Sequence, residues 1–93
     1  MSQPLGSPTI VTPITVTDVA QVLTVPHGIV SIEIVNMGDN DCYFGDSTVN
    51  STTGIPIYSA GVSKVWENVP SNFEVYLVCA SGKQTILRRV NYL

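Results

Sequence analysis

Hydrophobic and polar residues alternate in several short stretches of the chain, which predicts β-strands that bury one face and expose the other. In the clearest stretch, Val30, Ile32 and Ile34 share one face. Ser31 and Glu33 fall on the opposite face. No stretch repeats its apolar residues at the three- and four-residue spacing of an amphipathic helix. Further strands are predicted at residues 14–17, 22–25, 42–45, 55–57, 62–67, 73–80 and 83–90.

Turn-forming residues separate these strands at intervals of about 8–12 residues, which is typical of a β-sandwich or a β-barrel. Two such turns are Pro26-His27-Gly28 and Gly38-Asp39-Asn40-Asp41. Pro56 cannot donate a hydrogen bond to a sheet ladder, so its strand is expected at a sheet edge. The pattern predicts an all-β fold, an antiparallel β-sandwich of the jelly-roll or immunoglobulin-like kind with about seven or eight short strands.

The first thirteen residues contain three prolines and one glycine among small polar residues, a composition that argues against regular structure. They predict an extended N-terminal arm over residues 1–13. Residues 14–93 can enclose one hydrophobic core but not two, so a single sandwich domain is expected there.

The chain is unusually apolar for its size. Charged residues make up 12% of the sequence, against about a quarter in an ordinary soluble domain. A domain this small has a large surface relative to its volume, so part of its apolar surface should remain outside and mark interfaces. Assembly with other protein subunits is therefore the first functional expectation.

The charge balance argues against several other classes of protein. Seven acidic and four basic residues give a formal charge of −3, and Arg88-Arg89 is the only basic cluster. Binding to nucleic acid through phosphate contacts is therefore not expected. No apolar run approaches the roughly 20 residues that span a bilayer. The sequence Met1-Ser2-Gln3-Pro4 lacks the charged and apolar regions of a signal peptide, so an intracellular location is expected.

The chain offers few groups for catalysis. The single histidine, His27, lies in a predicted tight turn, and no nucleophile with a base and an orienting group is recognisable. One histidine and two strand cysteines, Cys42 and Cys79, do not make a recognisable zinc ligand set. No catalytic residue, cofactor or metal is assigned. Buried free thiols are expected at the two cysteines, with a disulfide as the alternative.

Two weaker patterns carry alternatives. Asp39, Asp41 and Asp46 resemble a degenerate calcium loop, but Tyr43 stands where a further oxygen ligand belongs, so turn roles are favoured. The tyrosines and Trp66 could stack on sugars or bases, and packing in the core or in an interface is the preferred interpretation.

Some apolar residues have no place in a two-layer sandwich, which buries one face of each sheet. The strand at residues 73–80 is apolar on both faces, which leaves Tyr76 and Val78 outside the core. Neighbouring Val65 and Trp66 must point to opposite faces of their strand. The arm is partly apolar yet cannot fold alone. A homo-oligomer is expected, and the candidate interface residues are Leu5, Ile10, Val11, Trp66, Tyr76 and Val78.

Five segments carry a family likeness through their order: Val30–Gly38, Asp41–Val49, Gly54–Ile57, Ala60–Ser63 and Val75–Gly82. Over residues 14–90, this order resembles small β-sandwich virion proteins of tailed bacteriophages, of the capsid decoration, cement or head-fibre-base type. No single one of these segments is specific, since each is turn chemistry that any sandwich can use.

The resemblance implies a non-enzymatic virion structural protein, and most specifically a capsid decoration or cement protein that stabilises the head by protein–protein contacts. It implies as partners the major capsid protein or other virion proteins and further copies of the chain, as a homotrimer, with neither nucleic acid nor membrane. The implied location is the capsid surface, after assembly in the host cytoplasm. The alternative function is a carbohydrate- or receptor-binding module of a tail or fibre.

Overall fold

The computed structural model of the chain describes residues 10–23, 30–70 and 72–92. No helix that could span a membrane occurs in these ranges. Within them the chain forms eight strands and no helix. The strands are β1 (Ile10–Val16), β2 (Gln21–Val22), β3 (Val30–Asn36), β4 (Cys42–Gly45), β5 (Ile55–Ile57), β6 (Ser63–Val69), β7 (Tyr76–Cys79) and β8 (Thr85–Tyr92).

The strands form two four-stranded antiparallel sheets. The first sheet has the order β1-β8-β3-β6 and the second has the order β2-β7-β4-β5. The pairs β1–β8, β2–β7, β3–β6 and β4–β5 are all hydrogen-bonded, as in one long hairpin that is rolled up. This is the strand order of an eight-stranded jelly roll. The predicted all-β sandwich is confirmed, in its jelly-roll form.

The core lies between the inner faces of the two sheets. Ile32 and Ile34 of β3 are fully buried there, as their alternation with polar residues predicts. The side chain of Val30, on the same predicted face, lies outside the description. The buried core cluster consists of Val16, Leu23, Ile32, Ile34, Cys42, Ile57, Val69, Val75, Leu77, Cys79 and Leu87.

The first strand begins earlier than the sequence suggests. β1 starts at Ile10, although residues 10–13 were expected to belong to the arm. These residues pair with the end of β8, and Val11 lies opposite Val90. Pro13 is tolerated because β1 is an edge strand, where a missing N–H need not face a neighbour. Residues 1–9 and His27 lie outside the described residues.

The other edges of the sheets are short or irregular. β5 is an edge strand that contains Pro56, as predicted. β2, at the opposite edge of the second sheet, is two residues long. Along β6 the register to β3 shifts between Val30 and Ile32, next to Asn68, which has a positive φ of 55°. Such a shift is a β-bulge, which bends an edge strand away from regular pairing.

A buried amide joins the two sheets at one end of the sandwich. The Asn36 side chain is fully buried, and its Nδ2 donates to the carbonyl oxygens of Asn40 (2.9 Å) and Ile57 (2.8 Å). Its Oδ1 accepts from the Gly38 N–H (2.9 Å) and from the Thr85 hydroxyl (3.1 Å). One side chain thereby connects β3 and the start of β8 to the end of β5 in the other sheet.

The backbone of Asn36 holds a further loop. Its N–H donates to the carbonyl of Val62 (2.9 Å), and its own carbonyl accepts from the Gly61 N–H (2.8 Å). Gly61 has a φ of 92°, a conformation that disfavours other residues. On the other side of the network, a β-carbon on Gly38 would overlap the hydroxyl oxygen of Thr85. The loops around Asn36 are therefore fitted closely to this one residue.

We expect Asn36→Ala to lower the free energy of unfolding by about 3 kcal/mol, because several buried donors and acceptors would lose their partner at once. Urea denaturation of the purified protein measures this change. Asn72→Ala is the matched control, since Asn72 is exposed, and its effect should stay within about 0.5 kcal/mol. A loss below about 1 kcal/mol in Asn36→Ala would contradict the role given to the network.

Candidate protein interface

The outer face of the first sheet, which points away from the core, carries mainly apolar side chains. Inner and outer positions alternate along each strand, so the buried Leu87 and Ile34 fix which neighbours point outward. The outer face consists of Val11, Pro13 and Thr15 of β1, Ser31, Glu33 and Val35 of β3, Ser63, Val65 and Glu67 of β6, and Ile86, Arg88, Val90 and Tyr92 of β8.

A row of four outer-face side chains crosses the sheet from β1 to β6. Val11 and Val90 lie side by side in it, and Glu33 separates them from Val65. Val11 is 54% exposed and Val65 is 43% exposed, so both ends of this row reach solvent. Ile86 and Tyr92 add exposed apolar surface along β8. Exposed apolar side chains grouped on one face mark protein interaction sites more often than scattered exposed residues do.

The outer face carries one positive and two negative side chains. Arg88 and Glu33 lie on β8 and β3, the two central strands of the sheet, and Glu67 lies on the edge strand β6. The Tyr92 hydroxyl donates to Oε1 of Glu33 (3.0 Å), which holds the carboxylate in place. The same hydrogen bond raises the pKa of Tyr92. The two charges at the centre of the outer face thus balance each other, although the chain carries a net charge of −3.

The outer side of the second sheet is covered differently. The loop of residues 46–54 folds back over β4, and Val49 is buried against it. A β-carbon on Gly45 would lie 3.0 Å from Val49, and one on Gly54 would lie 2.6 Å from Cβ of Tyr43. The two glycines therefore let the loop lie close to the sheet.

This cover changes the expectation for the strand at residues 73–80. Val78 is only 2% exposed in the single chain, and it lies opposite Tyr43, on which the loop packs. Tyr76 is half-buried. A monomer was expected to leave both residues in water. The single chain instead buries Val78 and covers part of Tyr76.

Polar residues order the loop from within. Oδ1 of Asp46 accepts from the N–H of Thr48 (2.9 Å) and from its hydroxyl (2.6 Å), and these bonds lower the pKa of Asp46. Oδ1 of Asp41 accepts from the N–H of Ser59 (3.0 Å). Both carboxylates thus carry out the turn chemistry that was favoured over calcium binding. Within the described residues, His, Cys, Asp and Glu side chains form no group of three that could hold a metal.

Trp66 lies on the inner side of β6. Its ring meets Phe44 edge to face, with centroids 5.1 Å apart, and Phe73 at 6.0 Å. Nζ of Lys64 lies 5.7 Å from the ring centroids of both Trp66 and Phe44. Val65 is the member of the pair that points outward. On this strand, Val65 and not Trp66 is therefore the candidate interface residue.

The structure separates the six residues that the sequence singled out. Val11 belongs to the outer face, while Trp66, Tyr76 and Val78 do not. Ile10 lies in β1, but its side chain is outside the description, as is the whole of Leu5. None of the six residues comes from β8, although β8 contributes apolar side chains to the outer face. Its signal was present in Ile86 and Val90, which share one face of a strand whose other face carries Leu87.

A cleft of about 220 Å³ opens between the edges of the two sheets, where β1 faces β2. Thr12, Gln21 and Arg89 contribute its polar lining, and Leu23 and Leu77 contribute to its apolar lining. Removal from water lowers the pKa of Arg89. The cleft is smaller than the roughly 300–1,000 Å³ of most small-molecule sites. The outer face is therefore the stronger candidate for a functional site.

The two cysteines lie directly opposite each other on β4 and β7. Both are buried and free. The Cys79 thiol approaches the carbonyl oxygens of Lys83 (3.1 Å) and Val16 (3.3 Å). Burial raises the pKa of the Cys42 thiol to about 12, and burial also raises that of Cys79. Both thiols are thus kept neutral, which makes them poor nucleophiles.

Trp66→Ala should lower the free energy of unfolding by about 2 kcal/mol, because it removes a half-buried ring that packs on Phe44 and Phe73 beside the core. Val65→Ala, one residue away, should change it by no more than about 0.5 kcal/mol, since Val65 faces solvent. Urea denaturation of both variants tests the assignment of the two faces. Equal effects would show that the strand is oriented otherwise.

Stability should fall as the pH rises above 9. The Cys42 thiol ionises near its ordinary value of 9.0 in the unfolded chain but only near 12 in the folded one. Between these values the native state retains a proton that the unfolded state has lost, so Cys42 lowers stability by up to about 1.4 kcal/mol per pH unit. Urea denaturation at pH 8.5, 9.5 and 10.5 should show a steeper fall in the wild type than in Cys42→Ala.

Thiol labelling provides the independent control for this prediction. A thiol reagent should modify Cys42 and Cys79 only after the protein unfolds. Rapid labelling of the native protein, or equal pH slopes in the wild type and Cys42→Ala, would contradict the burial described above.

Comparison with protein-family models, curated proteins and solved structures finds no match to this chain. The resemblance to phage virion proteins therefore stays a prediction from the order of its sequence segments.

Proposed function

We propose that the protein is a non-enzymatic structural subunit that packs its outer face against other protein subunits. In its most specific form, it is a decoration or cement protein on the capsid of a tailed bacteriophage. Its partners would then be the major capsid protein or other virion proteins, together with further copies of the chain. It would be located on the capsid surface, after assembly in the host cytoplasm.

The observation that supports the proposal is the set of exposed apolar side chains on one face of the first sheet, namely Val11, Val65, Ile86 and Tyr92. Removing apolar surface from water contributes roughly 25 cal/mol for each Å², so covering this face with a partner is favourable. A flat strand surface also offers the extended contact that a subunit needs when it bridges two neighbours in a lattice. Rigid support comes from the ladders of four antiparallel strands beneath it.

The fold supports a structural role without deciding it. Jelly rolls are the domains of many viral capsid proteins and of many lectins, and a fold alone does not fix a function. The position of the aromatic residues favours protein contact over sugar binding. Trp66, the largest aromatic side chain, packs on Phe44 and Phe73 instead of forming an exposed platform. We keep the carbohydrate- or receptor-binding module as the second candidate.

The proposal predicts that an affinity-tagged chain is incorporated into virions and that incorporation depends on the outer face. Ile86→Lys places a charge in this face and should reduce incorporation at least about tenfold, since a buried unpaired charge is costly. Ile55→Lys is the matched control, because Ile55 is also an exposed isoleucine, at 59% against 46% for Ile86, and lies on a strand of the other sheet. Thermal unfolding should be similar in both variants.

Gold labelling of the tag in electron micrographs of purified particles measures incorporation and position together. Label at many sites over the head is the expected result. Label confined to tail or fibre tips would replace the proposal by the second candidate. The absence of label from particles, or equal incorporation of the two variants, would overturn it.

A further inference from the structure

We propose that the outer face pairs with the same face of a second copy of the chain, with Arg88 of each copy bound to Glu33 of the other. This inference rests on the proposed function, because it identifies one partner of the same surface. It assigns a specific contact to a surface that would otherwise be defined only by its hydrophobicity.

The charge pattern points to a second copy. Arg88 is exposed and forms no ion pair or hydrogen bond with the residues that the structure describes. Glu33 is held by the Tyr92 hydroxyl and keeps its second carboxylate oxygen for another donor. The guanidinium of Arg88 and the carboxylate of Glu33, on the two central strands, fit the same face of another copy because each meets its opposite, whereas Glu67 lies on the edge strand β6. Guanidinium and carboxylate groups also match in geometry, through two parallel hydrogen bonds.

The positions of the two charges are compatible with two-fold symmetry. Arg88 lies opposite Val35, and Glu33 is two residues before Val35 on the same strand. The charges are therefore diagonal neighbours across the central pair of strands. A two-fold axis in the plane of the interface, midway between them and perpendicular to the line that joins them, places each Arg88 over Glu33 of the other copy. Both ion pairs form together, and the apolar residues around them meet.

This arrangement gives a dimer and not the trimer that the phage resemblance implies. A face that packs against itself is an isologous contact, which closes after two copies. A trimer requires two different surfaces on each subunit.

The size of the outer face sets the strength of the pair. Four strands about 4.8 Å apart, with seven or eight residues at about 3.3 Å each, give a face of roughly 20 by 25 Å. This lies at the small end of specific interfaces. The pair is therefore expected to be weak and reversible in solution, and to form more readily wherever a lattice brings two copies together.

Charge reversal separates pairing with a second copy from pairing with a different protein. R88E leaves two negative charges at the centre of the outer face, and E33R leaves two positive charges there. Each variant alone should dimerise at least about tenfold more weakly than the wild type, because like charges then meet across the axis. An equal mixture of R88E and E33R should form a heterodimer, because each variant supplies the charges that the other lacks. Analytical ultracentrifugation at low salt, with one variant fluorescently labelled, measures these species.

Two control variants carry the same charge changes away from the outer face. The controls are K83E and E74R. Lys83 lies in the turn before β8, Glu74 lies before β7, and both residues are exposed. Neither control should weaken the wild-type dimer by more than about twofold, since exposed charges outside an interface interact weakly. Thermal unfolding of all four variants shows whether each is folded.

A wild-type chain that stays monomeric at several hundred micromolar overturns the pairing. A mixture of R88E and E33R that forms no heterodimer overturns it as well. Failure of this inference is distinguishable from failure of the proposed function. If the chain is monomeric but still enters virions in an Ile86-dependent manner, only the pairing with a second copy is wrong. If the chain dimerises but never enters virions, only the virion role is wrong.

Discussion

The buried amide of Asn36 is the contact on which the arrangement of this sandwich depends. Two sheets that meet only through apolar side chains can slide, because hydrophobic burial has no direction. Four hydrogen bonds from one side chain do have direction, and they connect β3 and β8 of the first sheet to β5 of the second. A missing partner in a buried polar network is costly, so the network also selects one register.

The fold class was predictable because its signals are local. The alternation around Ile32 and Ile34 gave the central strand, and Pro56 marked an edge strand. The start of β1 was not predictable in this way, since prolines near Ile10 argued for an arm while pairing with the distant β8 decided the outcome. Long-range pairing depends on neighbours that no short window of sequence contains.

The candidate site was predictable only in part, for the same reason. Alternation required Val65 and Trp66 to point to opposite faces, but it could not say which residue points inward. That choice follows from the aromatic partners Phe44 and Phe73, which come from other strands. Val78 was misjudged because its cover is a loop of polar composition. An accurate prediction of the surface would have required the topology first.

The edges of the two sheets determine which modes of association remain open. Each edge strand is unsuited to pairing with another strand: β1 and β5 contain proline, β2 has two residues, and β6 is interrupted at Asn68. Natural sheet proteins use these devices to prevent the addition of strands from other molecules. A chain with so much exposed apolar surface would otherwise be prone to form fibrils, in which strands of different molecules pair through backbone hydrogen bonds. Because its edge strands are unsuited to pairing, the chain is directed to associate through side-chain contacts. Such contacts can form and dissociate repeatedly without unfolding.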